Sequence, residues 1–455
     1  MDKFEIVENV EAVEVNTHSD KVGVVLKEPA SKGFAAHITS STPVENCPDI
    51  EAHVRGEEVA YSDNEFDHQY KDNLRIIMQD GEKRTDRTGV NTISMFGDIG
   101  HKIDLRRGYP GTTLKRLAFE ANKVETMDWM LQGKTDLKTL KDKGVRIWDQ
   151  NVIHGTEVYE GKPLELFERL RMLGKHQLES INTFMGDLDV PFFSEEDGSR
   201  DYRIDECTTD QKFAIDSKLN NWGIPERALS GGDLGPIYGK QWRAWEDIRI
   251  VPGAMLHRDN PVWNKLKENG FEYTADLLES SDVIIRRSID QVAQVEKAVA
   301  ERSDSRRIIL TGWNVAQLDE MSLPPCHTMA QWSVSQKTDS NGKQFLDCKL
   351  YQRSADMLLG VPFNIAQYAL ITEMLAHVHG LTARFLHHTI GDAHIYQNHI
   401  DKGFIQEIME RPVIHKSPTL SISGTYNSIT EIPTDRVWMV DYQSHEAQKN
   451  VPIAK

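Results

Sequence analysis

Cysteine is scarce in this 455-residue chain. Its four cysteines, Cys47, Cys207, Cys326 and Cys348, are scattered and form no CxxC pair. That excludes the usual zinc spacing and the density of a secreted disulfide scaffold, so no metal and a reducing, cytoplasmic setting are expected (the host cytoplasm for a viral source). Positive charge is in deficit. The net charge of −17 argues against a general polyanion-binding surface and a nucleic-acid partner, while leaving room for a local basic pocket. No apolar run has membrane-spanning length. The first twenty residues lack the basic-then-apolar pattern of a secretory signal. Internal repeats are absent and strands mix with helices without a βαβ rhythm, which predicts an α+β fold.

What is present falls into blocks. Residues 1–66 are acidic and broken by Gly, Pro, Ser and Thr, and read as a flexible or loosely folded extension, with a small appended binding domain as the alternative. Residues 67–455 read as one catalytic domain, with insertions at about 154–230 and 246–287. Periodicity predicts helices over Tyr70–Met78, from Thr112 to Gly133, over Leu164–Leu173, after a Ser288 cap, and over Asn364–His379 with Gly380 as its stop. Strands are expected at Thr92–Phe96, Ile308–Thr311, Gln331–Val334 and Phe345–Tyr351.

The chemistry-bearing residues crowd into Pro324–Tyr396. Cys326 follows two prolines, which suit a rigid loop presenting a thiol; a lone cysteine is otherwise more often a small buried hydrophobe. A nearby arginine would favour the reactive thiolate. Arg353 beside Ser354 pairs a guanidinium with a hydroxyl, a combination suited to phosphate. The adjacent pair Arg306 and Arg307 reads by itself as surface charge. Asn364 at a helix start is either an N-cap or a base reader. Its amide can donate to one base oxygen and accept from the ring N–H beside it, as uracil requires, whereas a carboxylate would suit cytosine. His394 and Tyr396, two apart on a strand, share one face, as packing residues or as hydrogen-bonding partners of a ligand.

In combination these segments closely resemble the thymidylate synthase family and its hydroxymethylase relatives. The resemblance rests on Asp86-Arg87-Thr88-Gly89, Trp148-Asp149-x-Asn151, Gly232 to Trp245, Asp304 to Arg307, Pro325-Cys326-His327, Gln352-Arg353-Ser354-x-Asp356, Leu359 to Ala366 and Gly391 to His399. It covers about 67–153, 231–245 and 288–455. It implies a mixed sheet packed with helices and a homodimer joined sheet to sheet with shared active sites. Cys326 would attack C6 of deoxyuridylate (dUMP), and C5 would then take up the methylene of 5,10-methylenetetrahydrofolate. Arg87, Arg353 and Ser354 would hold the phosphate with Gln352 beside them, and Arg306 and Arg307 would reach it from the second subunit. Asn364 would read the uracil, His394 and Tyr396 the deoxyribose, and Tyr238 would orient the cysteine loop. Trp148, Asn151 and Asp356 would line the folate site, and Lys115 would meet its glutamate tail.

Three departures bear on the product. The family's catalytic glutamate stands three residues before a tryptophan. Here Trp129 is present, but Thr126 holds that position and Glu125 lies one residue earlier, about 100° around a regular helix. Either the helix bulges and Glu125 serves, or Thr126 with water replaces the acid. Gln367 stands where the synthases have serine. The apolar tail Val451–Ala454 ends in a charged Lys455. A more polar ring neighbour and an altered lid would admit water to the exocyclic methylene and yield 5-hydroxymethyl-dUMP; a sealed site would yield thymidylate. A regulatory relative that binds nucleotide or RNA without turnover is the reading from another class.

Overall fold

Burial alternates with period two along His327–Thr338 and Gln344–Asp356, and these two strands form the centre of a seven-stranded mixed sheet in a computed structural model of the chain. The described residues are 13–16, 22–26, 39–40, 64–85, 89–173, 175–194, 200–278, 280–301 and 304–452. The chain divides into two compact units, Met1–Ser62 and Asp63–Lys455. In the first, Val13–Asn16, Val22–Leu26 and Thr39–Ser40 make a small antiparallel sheet. The rest of the expected N-terminal extension lies outside the described residues, up to Asn64.

The second unit has an α+β architecture. Its sheet strands are β1 (Glu82–Arg84), β2 (Thr92–Phe96), β3 (Gly100–Asp104), β4 (Ile309–Thr311), β5 (His327–Thr338), β6 (Gln344–Asp356) and β7 (Thr382–Tyr396). They lie in the order β4-β5-β6-β7-β2-β1, with β3 on the other half of β7. All neighbours are antiparallel except β6 and β7. A parallel pair needs a long crossover, supplied here by the helix α5 (Gly360–His379). That helix is apolar nearly all round, and most of its residues are buried, as a central core helix requires. Where β7 passes β6, only glycine fits at 391: a Cβ there would lie 2.7 Å from the Arg353 carbonyl oxygen.

The opening helix α1 (Glu65–Asp80) is tied to the core through Asp67, which is fully buried. Its carboxylate accepts from the Thr112 hydroxyl at 2.6 Å, the Thr113 hydroxyl at 2.6 Å and the Thr113 amide at 2.8 Å. The Leu117 amide is taken by the Tyr442 hydroxyl. These bonds spend the backbone on tertiary partners, so the helix expected from Thr112 begins only at Phe119: α2 spans Phe119–Lys123 and runs into a π turn at Val124–Met130. Two other boundaries differ from expectation. Asp290, not Ser288, caps the helix α4 (Gln291–Ala300), because Ser288 is still paired in a strand. The helix near Leu164–Leu173 is confined to Leu166–Leu170.

Two satellite cores stand beside the main one. Leu173, Ile181, Met185, Val190, Ile204, Cys207, Ile215 and Leu219 form the first. Trp263, Phe271, Val283 and Ile285 form the second, under the three-stranded sheet of Glu272–Asp276, Asp282–Ile289 and Trp245–Pro252.

Asp67→Ala would leave three donors in the core without an acceptor. At about 1–3 kcal/mol for a buried group left unpaired, we expect a loss of at least 3 kcal/mol, read as a lowered urea midpoint with unchanged slope. Asp67→Asn, which keeps one acceptor, should lose less.

Candidate active site

The cysteine loop is held from two sides. Cys326 ends the loop before β5. Its amide N–H donates to the Tyr238 hydroxyl at 2.9 Å. From β6, the Arg353 side chain donates through Nε to the Pro325 carbonyl at 2.9 Å and through Nη2 to the Pro324 carbonyl at 2.7 Å, while its amide donates to the Cys326 carbonyl at 2.8 Å. Nη2 then stands 3.9 Å from the Cys326 sulfur. Next in the chain, buried His327 stacks on Tyr238 at 4.2 Å and bonds the Tyr368 hydroxyl at 2.8 Å. Burial pushes its pKa down to about 3, so it stays a neutral anchor. Cys348, by contrast, is buried under the sheet with its thiol pushed up to about 12. It cannot supply a thiolate near neutral pH, whereas Cys326 is only partly buried and has a cation beside it.

The π turn resolves the register question raised by Glu125 and Thr126. It absorbs one extra residue through the Leu131 amide bond to the Thr126 carbonyl. Glu125 is thereby turned into the core, where its carboxylate accepts from Trp148 Nε1 at 2.5 Å and from Gln367 Nε2 at 2.6 Å. The Thr126 hydroxyl is buried without a hydrogen bond. Burial pushes the Glu125 pKa up to about 7, against the two hydrogen bonds that lower it. The π turn is also approached by the helix α3 (Gly239–Ala244): a Cβ at Gly239 would lie 2.4 Å from the Met130 carbonyl oxygen.

Asn364 is not an N-cap. The helix α5 begins four residues earlier, at Gly360, which frees the amide for side-chain partners. Its Oδ1 accepts from Gln352 Nε2 at 3.0 Å and its Nδ2 donates to Gln367 Oε1 at 3.1 Å. The contacts close on themselves. They pass from Arg353 to Cys326 and Tyr238, by ring contact to Trp148 at 6.0 Å, to Glu125, Gln367, Asn364 and Gln352, and back along β6 to Arg353. The circuit thus joins a thiol, a guanidinium, an amide and an acid near neutrality.

The remaining expected residues distribute as follows. His394 and Tyr396 lie together on β7 with ring centroids 5.1 Å apart. Burial opposes charge on His394, but its bond to Asp392 at 3.1 Å and the proximity of Asp356 outweigh burial and hold its pKa above the ordinary value. Ser354 pairs with Asp392 across β6 and β7, and Asp356 with His394. Asp356 accepts from the Leu358 and Leu359 amides. Lys115 turns inward to the Leu358 carbonyl, and burial pushes its pKa down to about 8. Asn151 ends the short turn after Trp148. Arg306 and Arg307 are exposed before β4. Arg87 and Lys455 lie outside the described residues. Of the tail, Val451 packs on the core and the Pro452 carbonyl accepts from His399 at 2.7 Å. His101, His388 and Asn73, which sequence reasoning did not single out, back this site; only the strand pairing of His388 with His101 brings them into line with it.

The sequence has counterparts among known proteins. A family model described as thymidylate synthase matches residues 68–454. A thymidylate synthase of Ascaris suum is 34% identical over 380 residues, 83% of this chain and 94% of that protein.

Because the folded pKa of Glu125 lies above its ordinary 4.5, the stability that its protonation contributes is present at low pH and lost as pH rises through about 7. The displacement corresponds to roughly 3 kcal/mol. In urea titrations, Glu125→Gln should gain about that much relative to the unsubstituted protein between about pH 5 and about pH 8. A difference that does not change with pH would place the titration elsewhere.

Proposed function

The chain belongs to the thymidylate synthase family, and we propose that it transfers a one-carbon unit from 5,10-methylenetetrahydrofolate to C5 of dUMP. The observation that carries this reading is the closed set of contacts linking Cys326 and Arg353 to Asn364 and Glu125.

Cys326, as thiolate beside Arg353, adds to C6 of the ring. The electron pair moves to C5 and O4, where the Asn364 amide donates. C5 then attacks the methylene carbon that the folate supplies as one of its two C–N bonds breaks; loss of the C5 proton to a base and cleavage of the remaining C–N bond release tetrahydrofolate and leave an exocyclic methylene on the ring. Glu125, with its pKa near 7, is suited to move protons on this edge of the ring. Arg353 and Ser354, with Arg87, hold the phosphate; His394 and Tyr396 hold the sugar hydroxyl. Trp148, Asn151 and Asp356 suit the folate, offering a flat indole beside amide and carboxylate acceptors. The sheet face opposite α5 exposes Met329, Ser333, Lys349 and Tyr351. A second copy seated there would form the homodimer and bring Arg306 and Arg307 to the phosphate.

For the product we propose 5-hydroxymethyl-dUMP. Gln367 replaces a small hydroxyl residue and brings an amide into contact with both the base reader and the acid. Glu125 can then serve as the base that activates water toward the exocyclic methylene; as water's oxygen bonds the methylene, its proton passes to the acid and the ring expels Cys326. Thymidylate is the second reading, favoured by the Trp148–Glu125 bond, which keeps a flat aromatic against the acid.

Tritium release from 5-labelled dUMP in the presence of methylenetetrahydrofolate tests the transfer, and Cys326→Ala should abolish it. Retained release in that variant would mean that another nucleophile acts, and no release by the unsubstituted protein would leave the regulatory reading. Product mass with dihydrofolate absorbance separates the products: turnover without dihydrofolate is expected, and stoichiometric dihydrofolate would establish thymidylate.

A further inference from the structure

We propose that a one-way line of hydrogen-bond donors, running from Asn73 through His101 and His388 to Glu125, locks the Asn364 amide in the orientation that accepts uracil and refuses cytosine. His101 and His388 act in it as positioning residues. The proposal rests on the reading of this site as a deoxyuridylate pocket.

The direction of the line follows from its ends. Asn73 Nδ2 lies 2.9 Å from the Gly100 carbonyl oxygen, which can only accept, so the nitrogen end of that amide is fixed. The same nitrogen lies 3.0 Å from His101 Nε2, which must therefore accept. His101 then carries its proton on Nδ1, aimed at His388 Nδ1 at 3.3 Å. His388 accepts there and carries its own proton on Nε2, 3.0 Å from Gln352 Oε1. Gln352 donates to Asn364, Asn364 to Gln367 and Gln367 to Glu125, at 3.0, 3.1 and 2.6 Å. At the far end the Trp148 indole, which can only donate, occupies the other carboxylate oxygen. Every joint is satisfied in one sense only. Both histidines are buried, and burial pushes their pKa values down, that of His101 to about 3. A protonated ring would donate from both nitrogens and break the line.

The line leaves Asn364 one free hydrogen on Nδ2 and one free lone pair on Oδ1. Uracil offers O4 to the first and N3–H to the second. Cytosine offers the reverse, an exocyclic N–H and a bare N3, and fits only if the amide is turned over. A turned amide would set nitrogen against Gln352 nitrogen and oxygen against Gln367 oxygen. Relief would require both glutamines and both imidazole tautomers to reverse, and the reversal would stop at the Gly100 carbonyl with two oxygens facing. Local networks of this kind are cooperative, and one misplaced donor in a buried site is expensive. Specificity for the base is thus set partly by two imidazoles at the far side of β6, not by Asn364 alone.

The test uses Gln352→Glu in the full chain. A carboxylate at 352 still accepts from His388 but also requires the Asn364 nitrogen, so the amide turns over. By equilibrium dialysis with labelled nucleotides, the dUMP-to-dCMP affinity ratio should fall at least tenfold, and His388→Leu should lower it at least fivefold. In 15N-histidine spectra of the unsubstituted protein, His101 should carry its proton on Nδ1 and His388 on Nε2, both neutral from about pH 5.5 to about pH 8. Opposite tautomers, or a charged ring in that range, would overturn the proposal without reference to any ligand. So would an unsubstituted protein that prefers dUMP together with a folded Gln352→Glu variant that keeps the same ratio. An unsubstituted protein that binds dCMP as well as dUMP would instead remove the deoxyuridylate reading itself, a result distinct from the other two.

Discussion

The grip of Arg353 on the cysteine loop is the constraint on which the rest of the site depends. One side chain satisfies the carbonyls of Pro324 and Pro325, and its own amide holds the carbonyl of Cys326. Prolines have no N–H with which to pair this loop to a neighbouring strand, so the arginine supplies the tie from β6. Because the tie comes from a strand, the thiol inherits the register of the sheet. Gln352, one residue away, points to the opposite face and fixes Asn364, so the Cys326 thiol and the Asn364 amide are both indexed to one residue pair. Charge has a second consequence here. A guanidinium that spends hydrogen bonds on neutral carbonyls keeps its full positive charge for the sulfur at 3.9 Å and for an incoming phosphate.

The two satellite cores leave this arrangement intact because of how they leave the main body. The first departs and returns through paired segments, with bridges at Asp136–Asp233, Val158–Gly231 and Pro163–Arg227. Closing a longer loop over fixed ends adds only about 0.6 kcal/mol for each doubling of its length. Its own core, and the buried Arg169 that bonds Asp216, Asn220 and the Ile224 carbonyl, offset that entropy locally. The second places Phe271 between Arg249 and Arg287, both bound to Asp247. Neither replaces a strand of the seven-stranded sheet.

Much of the site was legible because its residues recur in compact segments with distinct chemistry: Cys326 after two prolines, Arg353 beside Ser354, His394 two before Tyr396. The α+β class followed from mixed periodicities, although the single parallel pair and its crossover helix did not show as a βαβ rhythm. What was hidden has a common cause. Thr112 to Ala118 reads as helix until Asp67 and Tyr442, distant in the chain, claim its donors. Asn364 reads as a cap because Gly360-Val-Pro before it looks like a loop, yet proline is compatible with a helix's first turn. Glu125 reads as misplaced by one residue because a π turn leaves no mark in composition. His101 and His388 belong to no motif and meet only through pairing of β3 with β7. Local propensity carries none of these long-range facts.

Two opposing effects meet at Glu125. A carboxyl group sealed among Trp148, Gln367 and the core is favoured in its neutral form, which is why its pKa rises to about 7. A donor line that ends on it favours the opposite, because two N–H groups converge on its two oxygens. Burial outweighs the hydrogen bonds by enough to bring the neutral and charged forms near equality at neutral pH, the condition in which a group can both give and take a proton. Gln367 spans the gap between Asn364 and Glu125 and makes the proton state of the acid and the orientation of the Asn364 amide parts of one network. One side chain thus couples the Asn364 amide to the acid through two hydrogen bonds.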